Sequence, residues 1–520
     1  MHSDAVILSI DNGTQSIRTL LFDIQGNLLA KSQVLLTTLE PTESGWAEQE
    51  ADYFWTQLAK CCQLLWQQPG VIADNLQKKI VAVALTTQRG TIINVDQHGQ
   101  ALRPAILWLD QRMANQLPRL AWYWRWLLAL VGQRQSVRFF QQKAQINWLA
   151  EHQAALLEKS HKVLLLSGYL SFKLTGKFHD SIAAIVGYLP FDYKRLCWAH
   201  RYHWKWQALA VKREQLPELV VPGMPLGHIT EQAANVTGIP FDLPLIAAGS
   251  DKACEVLGSG CLTPATAHLS YGTTATINTN NVKYVEPQAF IPPFPSAIPH
   301  QYNSEVMIYR GFWMVSWFKQ QFAHHEIQQA TTLGVEPESL LDNLVEQVPA
   351  GSEGLILQPY WAPGIKNLEA KGAIIGFSDI HTRAHVYRAI LEGLAFALRE
   401  GKEQLERRQQ QPITQLIISG GGSQSDAAMQ LTANIFNLPA SRPNSYETSG
   451  LGAAMNAAVG LGIYSNYAQA AQKMTHIACT FYPQAEQVAL YQQLYHSVYS
   501  AMYQRLKPMY KIIDNIIHNH

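Results

Sequence analysis

Two segments half a chain apart share one pattern, and that pattern limits the possible folds more than any other feature. Ala5 to Ile24 (AVILSIDNGTQSIRTLLFDI) is an apolar run, a polar turn around Gly13 and a second apolar run, and Ala265 to Asn278 (ATAHLSYGTTATIN) repeats this around Gly272. Apolar runs broken by a short glycine-bearing turn read as β-hairpins. Aligned by eye, LSIDNGT from Leu8 and LSYGTT from Leu269 suggest an internal duplication. A chain of 520 residues exceeds one core at roughly 150 residues per domain. Two related domains facing each other, divided near Pro244 to Gly249, is the economical arrangement.

The segments between the hairpins alternate in type. Glu50 to Trp66 places Phe54, Leu58, Cys61, Leu64 and Leu65 at helical spacing, and Ile80 to Thr86 (IVAVALT) reads as a buried strand, so the class is α/β. Leu416 to Gly422 (LIISGGG) is a strand emptying into three glycines, followed by a helix over Asp426 to Phe436. Glu447 to Gly462 (ETSGLGAAMNAAVGLG) is a helix of such small residues that backbone or ligand must approach it closely. Gln484 to Leu506 predicts a covering helix that stops before Pro508.

Composition excludes several classes. Lys plus Arg (40) nearly balances Asp plus Glu (39), which disfavours a nucleic-acid partner held by phosphate neutralisation. The six cysteines show neither a metal-ligand spacing nor a disulfide framework. The N-terminus has no basic region or cleavage site, and the most apolar stretch, Leu120 to Val131 (LAWYWRWLLALV), contains Arg125 and is shorter than the roughly 20 residues a span needs. A cytoplasmic protein without a membrane partner is expected. That stretch is either a core helix of the first domain or a surface for a partner or second copy, and a homodimer is compatible with the latter.

Three places could carry chemistry. In DNGTQSIR, Asp11 ends a strand beside a turn with hydroxyls at Thr14 and Ser16 and a cation at Arg18. Exposed N–H groups, hydroxyls and an arginine suit phosphate oxygens, and a strand-end carboxylate suits hydrated magnesium. A solvated hairpin turn is the plain alternative, and the second turn, Gly272-Thr273-Thr274, tilts the choice towards a phosphate clamp. The SGGG turn is a candidate nucleotide contact, although no GxxxxGK[ST] loop is present. Asp251, in AAGSDKACEVLGSG, follows an apolar strand and opens a helix, as either a general base or an ordinary helix cap.

Taken in order, these motifs resemble the FGGY family of carbohydrate kinases, within the actin and Hsp70-like ATPase group. DNGTQSIR resembles the family's first phosphate turn and LSYGTTATI the second; SGWAEQEADYFW (Ser44 to Trp55), GSDKACEVLGSG and GAIIGFSDIHTRAHVYRAILEG (Gly372 to Gly393) resemble further family blocks. SGGGSQSDAAMQLTANIFNLP with ETSGLGAA resembles the adenosine region. The resemblance implies two ribonuclease-H-like domains around a cleft, residues 1–247 binding sugar and residues 248–520 supplying the base and ATP contacts. It implies ATP-dependent phosphorylation of a sugar or polyol hydroxyl, with Asp251 as general base and Asp11 holding Mg2+. Thr14, Arg18, Gly272 and Thr273 would meet phosphates, and Gly421, Gly422 and Ser425 the adenosine end.

The substrate pattern is mixed. Leu85 to Arg112 resembles glycerol kinases in Gln88, Arg89 and Trp108, but Gly90 replaces their substrate-binding Glu; Asp110 instead matches xylulokinases. Loss of that Glu opens space, so a substrate larger than glycerol is expected, with Arg89 and Asp110 on its hydroxyls. Gln145 stands where the family has a signature lysine, and Asn434 where it has an aspartate. An autoinducer-2-type kinase and a catalytically silent sensor are the alternatives on the same fold.

Overall fold

The computed structural model describes residues 4–41, 43–289, 291–334, 337–361 and 369–518. The first hairpin forms as expected from β1 (Val6–Asn12) and β2 (Ser16–Asp23), with Asp11 opposite Arg18. β3 (Leu28–Leu35) continues the meander, and β4 (Ile80–Thr87) runs parallel to β1. β5 (Pro225–His228) and β6 (Pro244–Ser250) complete a sheet ordered β5-β6-β4-β1-β2-β3. The second hairpin, β7 (Thr266–Tyr271) and β8 (Ala275–Asn281), begins another sheet. β9 (Phe294–Pro295), β10 (Tyr302–Ile308), β11 (Gln415–Ser419), β12 (Ala440–Pro443) and β13 (Ile477–Phe481) join it in the order β9-β10-β8-β7-β11-β12-β13.

Both sheets contain one arrangement. An antiparallel meander (β1-β2-β3; β7-β8-β10) lies beside two parallel strands (β4 then β6; β11 then β12). This is the ribonuclease-H-like topology twice over, in the α/β class the sequence indicates. The division is later than expected. Residue 247 lies inside β6, which pairs with β4, so a cut there would split the first sheet; the chain reaches the second sheet only at Thr266.

In the first half, α1 (Ala51–Trp66) buries Phe54, Leu58, Cys61, Cys62 and Leu65, the stripe its spacing predicts. α2 (Trp122–Leu130) and α3 (Arg134–Lys143) follow, and α4 (Asp251–Gly258) leaves the end of β6. In the second half come α5 (Trp313–Phe322), α6 (Arg383–Gln409), α7 (Asp426–Phe436) and α8 (Thr448–Gly460). The chain finishes with α9 (Ala485–Leu494) and α10 (Ser500–His518).

Two expectations about helices give way. α2 buries none of its residues, so the aromatic stretch is not a core helix. The C-terminal helix does not stop before Pro508 but runs through it. Contacts on both sides of the proline offset the lost N–H: Lys507 pairs with Glu369 at 3.0 Å, Lys371 with Asp514 at 2.7 Å, and the Tyr510 hydroxyl accepts from Gln358 at 2.9 Å.

α4 and α8, from different halves of the chain, lie together against one face of the first sheet. Ile7, Leu20, Phe22, Ala82, Ala84, Ile246 and Ala248 meet Ala253, Leu257, Leu451, Ala454, Met455 and Ala458 there. Glycine makes the crossing possible. A Cβ on Gly452 would stand 1.9 Å from the Cys254 carbonyl oxygen, and one on Gly258 2.0 Å from that of Thr448. The close approach expected of the Gly/Ala-rich helix is therefore to backbone. Gly452→Ala is expected to destabilise the fold by about 2–3 kcal/mol through overpacking, read as a lower unfolding midpoint. Gly421→Ala, whose Cβ would meet nothing within 4 Å, should leave that midpoint in place.

Candidate active site

The two hairpin turns present free donors. In the first, Gly13 N–H donates to the Ser16 carbonyl at 3.0 Å, while the N–H groups of Thr14 and Gln15 find no acceptor among the described residues. In the second, the N–H groups of Gly272, Thr273 and Thr274 likewise have no acceptor among the described residues, while the Gly272 and Thr273 carbonyls accept from Phe312 and Trp313 at the start of α5. Turns with outward N–H groups are anion sites. Thr273 is exposed with no side-chain partner, and the Thr14 hydroxyl accepts from the Trp108 indole at 3.0 Å.

Beside the first turn lies a group of buried polar atoms without partners. Asp11 is the second-last residue of β1, 1 % exposed, and neither carboxylate oxygen accepts a hydrogen bond, although Arg18 Nη2 stands 3.1 Å from Oδ2. The Asn12 amide, Ser9 Oγ, Thr86 Oγ1 and Gln88 Oε1 are also unpartnered. Folded proteins rarely bury orphaned polar atoms, and several together mark a place built for a ligand. Burial pushes the Asp11 carboxyl up to about 6 against the opposing pull of Arg18. Arg18 itself is held by carboxylates, reaching Glu447 at 2.7 Å as well as Asp11. Glu447 also takes Lys31, so the expected phosphate contact of Arg18 gives way to a tie between β2 and the start of α8.

Asp251 is the first residue of α4. Ser250 occupies the cap position, and Asp251 Oδ1 accepts only from the adjacent Lys252 N–H at 2.7 Å. Its side chain keeps 26 % exposure, which a buried cap would not. Burial raises its carboxyl, opposed by Arg89 and Lys252. Lys252 turns away from the opening, donating to Glu255 at 2.6 Å and Ser270 at 2.7 Å. Glu255 also accepts from Ser270 and from Ser419 on β11, tying α4, β7 and β11 together.

The substrate candidates separate. Arg89 lies 4.0 Å from Asp251, pairs with Glu305 of β10 at 3.1 Å and covers the Phe294 ring. Gln88 is buried, its N–H donating to the Asn12 carbonyl at 2.8 Å. Trp108 stands partly open beside Thr14. Asp110 is elsewhere engaged: Arg112 binds both its oxygens at 2.8 and 2.7 Å, Ala47 N–H donates at 2.7 Å, and its side chain is 1 % exposed. Its expected contact with substrate hydroxyls is therefore replaced by a structural pairing. Gly90 has φ +70 and would place a Cβ 3.4 Å from that of Trp108, so it serves a left-handed backbone as much as it opens space.

At the glycine turn the three candidates also differ. Gly421 faces open space, whereas a Cβ on Gly422 would enter the Phe312 ring, which stacks on Tyr271 at 4.3 Å. Ser425 is the cap of α7, accepting from Ala428 N–H at 3.0 Å and donating to Asp342 at 2.5 Å, so its hydroxyl is not free for a ligand. Gln145 donates to the Gly90 carbonyl at 3.3 Å, and Asn434 holds the chain at Gln484 and Gln487.

The profile of the FGGY family of carbohydrate kinases, N-terminal domain, matches residues 6–258, and that of the C-terminal domain matches residues 267–461. The chain belongs to this family. Escherichia coli (strain K12) has a relative named uncharacterized sugar kinase YgcE that is 31 % identical over 92 % of this chain and 90 % of its own. Xylulose kinase of Lactococcus lactis subsp. lactis (strain IL1403) is 27 % identical over 98 % of both. Gluconate kinase and a ligand-bound xylulose kinase from Lactobacillus acidophilus share the fold, each with a TM-score of 0.80 over 98 % of this chain, at 23 % and 22 % identity and over 99 % and 100 % of their own lengths.

In this FGGY kinase Lys252, Glu255 and Glu305 join the site without having been candidates, and Glu447, which opens the ETSGLGAA block, does so as a partner of Arg18. Lys252 stood in plain view as the residue after Asp251. Glu305 reaches the site from a strand far along the chain, and no local pattern announces it; Glu447 lies in a quoted block, but nothing local shows that it pairs with Arg18.

Proposed function

We propose that this carbohydrate kinase transfers the γ-phosphoryl group of ATP to a hydroxyl of a sugar or polyol longer than glycerol, with Asp251 accepting the hydroxyl proton. The observation that carries this is the setting of Asp251: a partly open carboxylate, raised by burial, at a helix start beside Arg89. Phosphoryl transfer asks a protein mainly to hold an in-line geometry and to meet charge. The free N–H groups at Thr14–Gln15 and Gly272–Thr274 would take phosphate oxygens, and Gly421 would lie against the adenosine end.

The Asp11 pocket suits magnesium. Among the described residues no cluster of three or more His, Cys, Asp or Glu forms a cation cage, and magnesium characteristically takes one or two carboxylates, waters and phosphates. Asp11, whose oxygens accept no hydrogen bond and face only Arg18, would hold it, and the ion would neutralise phosphate charge when bound. Arg18 keeps Asp11 ionised and fixes its direction.

Arg89, Asp251 and Glu305 offer donors and acceptors from both halves of the chain, and Tyr309 stands in the field of Glu305 and Arg89. With Gly90 leaving room beside Trp108, this setting supports a ketose or pentitol, in line with the xylulose kinase named among the relatives. The test is coupled ADP release over glycerol, erythritol, xylitol, xylulose and ribulose. ADP release is expected with a five-carbon substrate above glycerol. Bound ATP with no ADP release on any substrate would replace the kinase reading with the silent sensor.

A further inference from the structure

α2 is left unused by the phosphoryl-transfer site. Trp122, Tyr123, Trp126, Leu127, Leu130 and Val131 are exposed at 78, 44, 61, 41, 71 and 57 %. At 100° per residue, Trp122, Trp126, Leu130, Tyr123 and Leu127 fall on one arc of about 140°, so the exposed residues form a single apolar face. The opposite side is where the helix attaches: the Trp124 ring lies 6.4 Å from that of His203, and Ala121 N–H donates to Gln207 at 2.8 Å. An apolar face this continuous is a contact surface.

Its charge setting is one-sided. Residues 111–150 and 193–213, which meet through Trp124, Gln207 and the Phe140–Trp204 ring contact, hold twelve of the chain's Lys and Arg residues and none of its Asp and Glu. Arg119, Arg125, Arg134 and Arg138 are exposed around α2, and none pairs with a carboxylate among the described residues. Arg112 is instead buried against Asp110 and Glu48, so the exposed cations beside α2 are these four arginines.

We propose that α2 seats this protein on an anionic lipid surface, with the Trp/Tyr/Leu arc in the headgroup and upper acyl layer and the arginines on lipid phosphates. Tryptophan and tyrosine favour the boundary between water and hydrocarbon, and flanking cations add attraction to anionic headgroups. Leu127, Leu130 and Val131 match acyl chains and have no counterpart on a nucleic acid. A second copy across a two-fold axis would set the same unpaired arginines against one another. The docking is peripheral: no described helix is long and apolar enough to cross a membrane. This proposal departs from the expectation of a protein without a membrane partner, which rested on the lack of a span.

The experiment is co-sedimentation of the full chain with vesicles of phosphatidylcholine alone or mixed three to one with phosphatidylglycerol. Binding to the mixed vesicles, weakened by salt, is expected, as is slower hydrogen exchange over residues 119–131 in the bound wild-type protein. Trp122→Ser with Trp126→Ser should reduce partitioning by about tenfold or more and leave turnover in solution unchanged, which also reports that the variant folds. Arg125→Gln with Arg134→Gln should reduce binding to mixed vesicles alone. Absence of wild-type binding to mixed vesicles would overturn the proposal. So would a solution dimer that the tryptophan variant dissolves, or hydrogen exchange over residues 119–131 that vesicles leave unchanged.

Discussion

Asp251→Asn is expected to reduce turnover by about three orders of magnitude while ATP affinity stays within twofold, the scale of a lost general base. Asparagine keeps the shape of the side chain and an oxygen to accept from Lys252 N–H, so the start of α4 is not disturbed. What disappears is a group able to take the substrate proton. Coupled ADP release gives the rate and calorimetry the nucleotide affinity; turnover within threefold of wild type would remove Asp251 from the base position. The pH dependence adds a second reading. Burial raises the carboxyl, so wild-type activity should fall on the acid side above the ordinary carboxylate range, because only the ionised form accepts a proton. The residual activity of the variant should lack that limb.

Asp11→Asn should have opposite effects on stability and activity. In the protein without nucleotide or magnesium, the Asp11 carboxyl titrates near 6 rather than 3.8, chiefly through burial. A proton held more tightly in the folded state contributes stability below the unfolded value, and that contribution is lost as pH rises through the folded one. At pH 7 the wild-type protein therefore carries a penalty of about 3 kcal/mol, from about 1.4 kcal/mol per pKa unit. The neutral variant avoids it. Its unfolding midpoint should lie above wild type at pH 7 and converge with it near pH 4, while its turnover falls by about a hundredfold or more if Asp11 holds magnesium as proposed. A lower midpoint than wild type at pH 7 would contradict this.

The parts of this molecule written into short segments could be read from sequence. β1–β2 and β7–β8 are adjacent strands joined by a turn of a few residues, so hydrophobic pattern and glycine suffice to place them. The α4–α8 crossing was half legible: ETSGLGAA demanded a close neighbour, but only the fold shows that neighbour to be the Cys254 carbonyl. Asp110 was misread because its partners, Arg112 and the Ala47 N–H, remove the carboxylate from the cleft, and nothing in LWLDQR records that pairing. Arg18 and Ser425 likewise find acidic partners at long range, in Glu447 and Asp342, that no local pattern records. Pro508 broke a local rule that tertiary ion pairs override.

The glycine crossing also has a consequence for motion. If the two halves rock to admit substrate and release ADP, they have to turn about the place where they touch without slack, and Gly258 and Gly452 leave none. Asp251 lies on that same short helix, close to such an axis. The rims of the cleft would then travel while the carboxylate stays nearly still, like the pin of a pair of tongs. Each closing would return the phosphate turns to a base that had not moved.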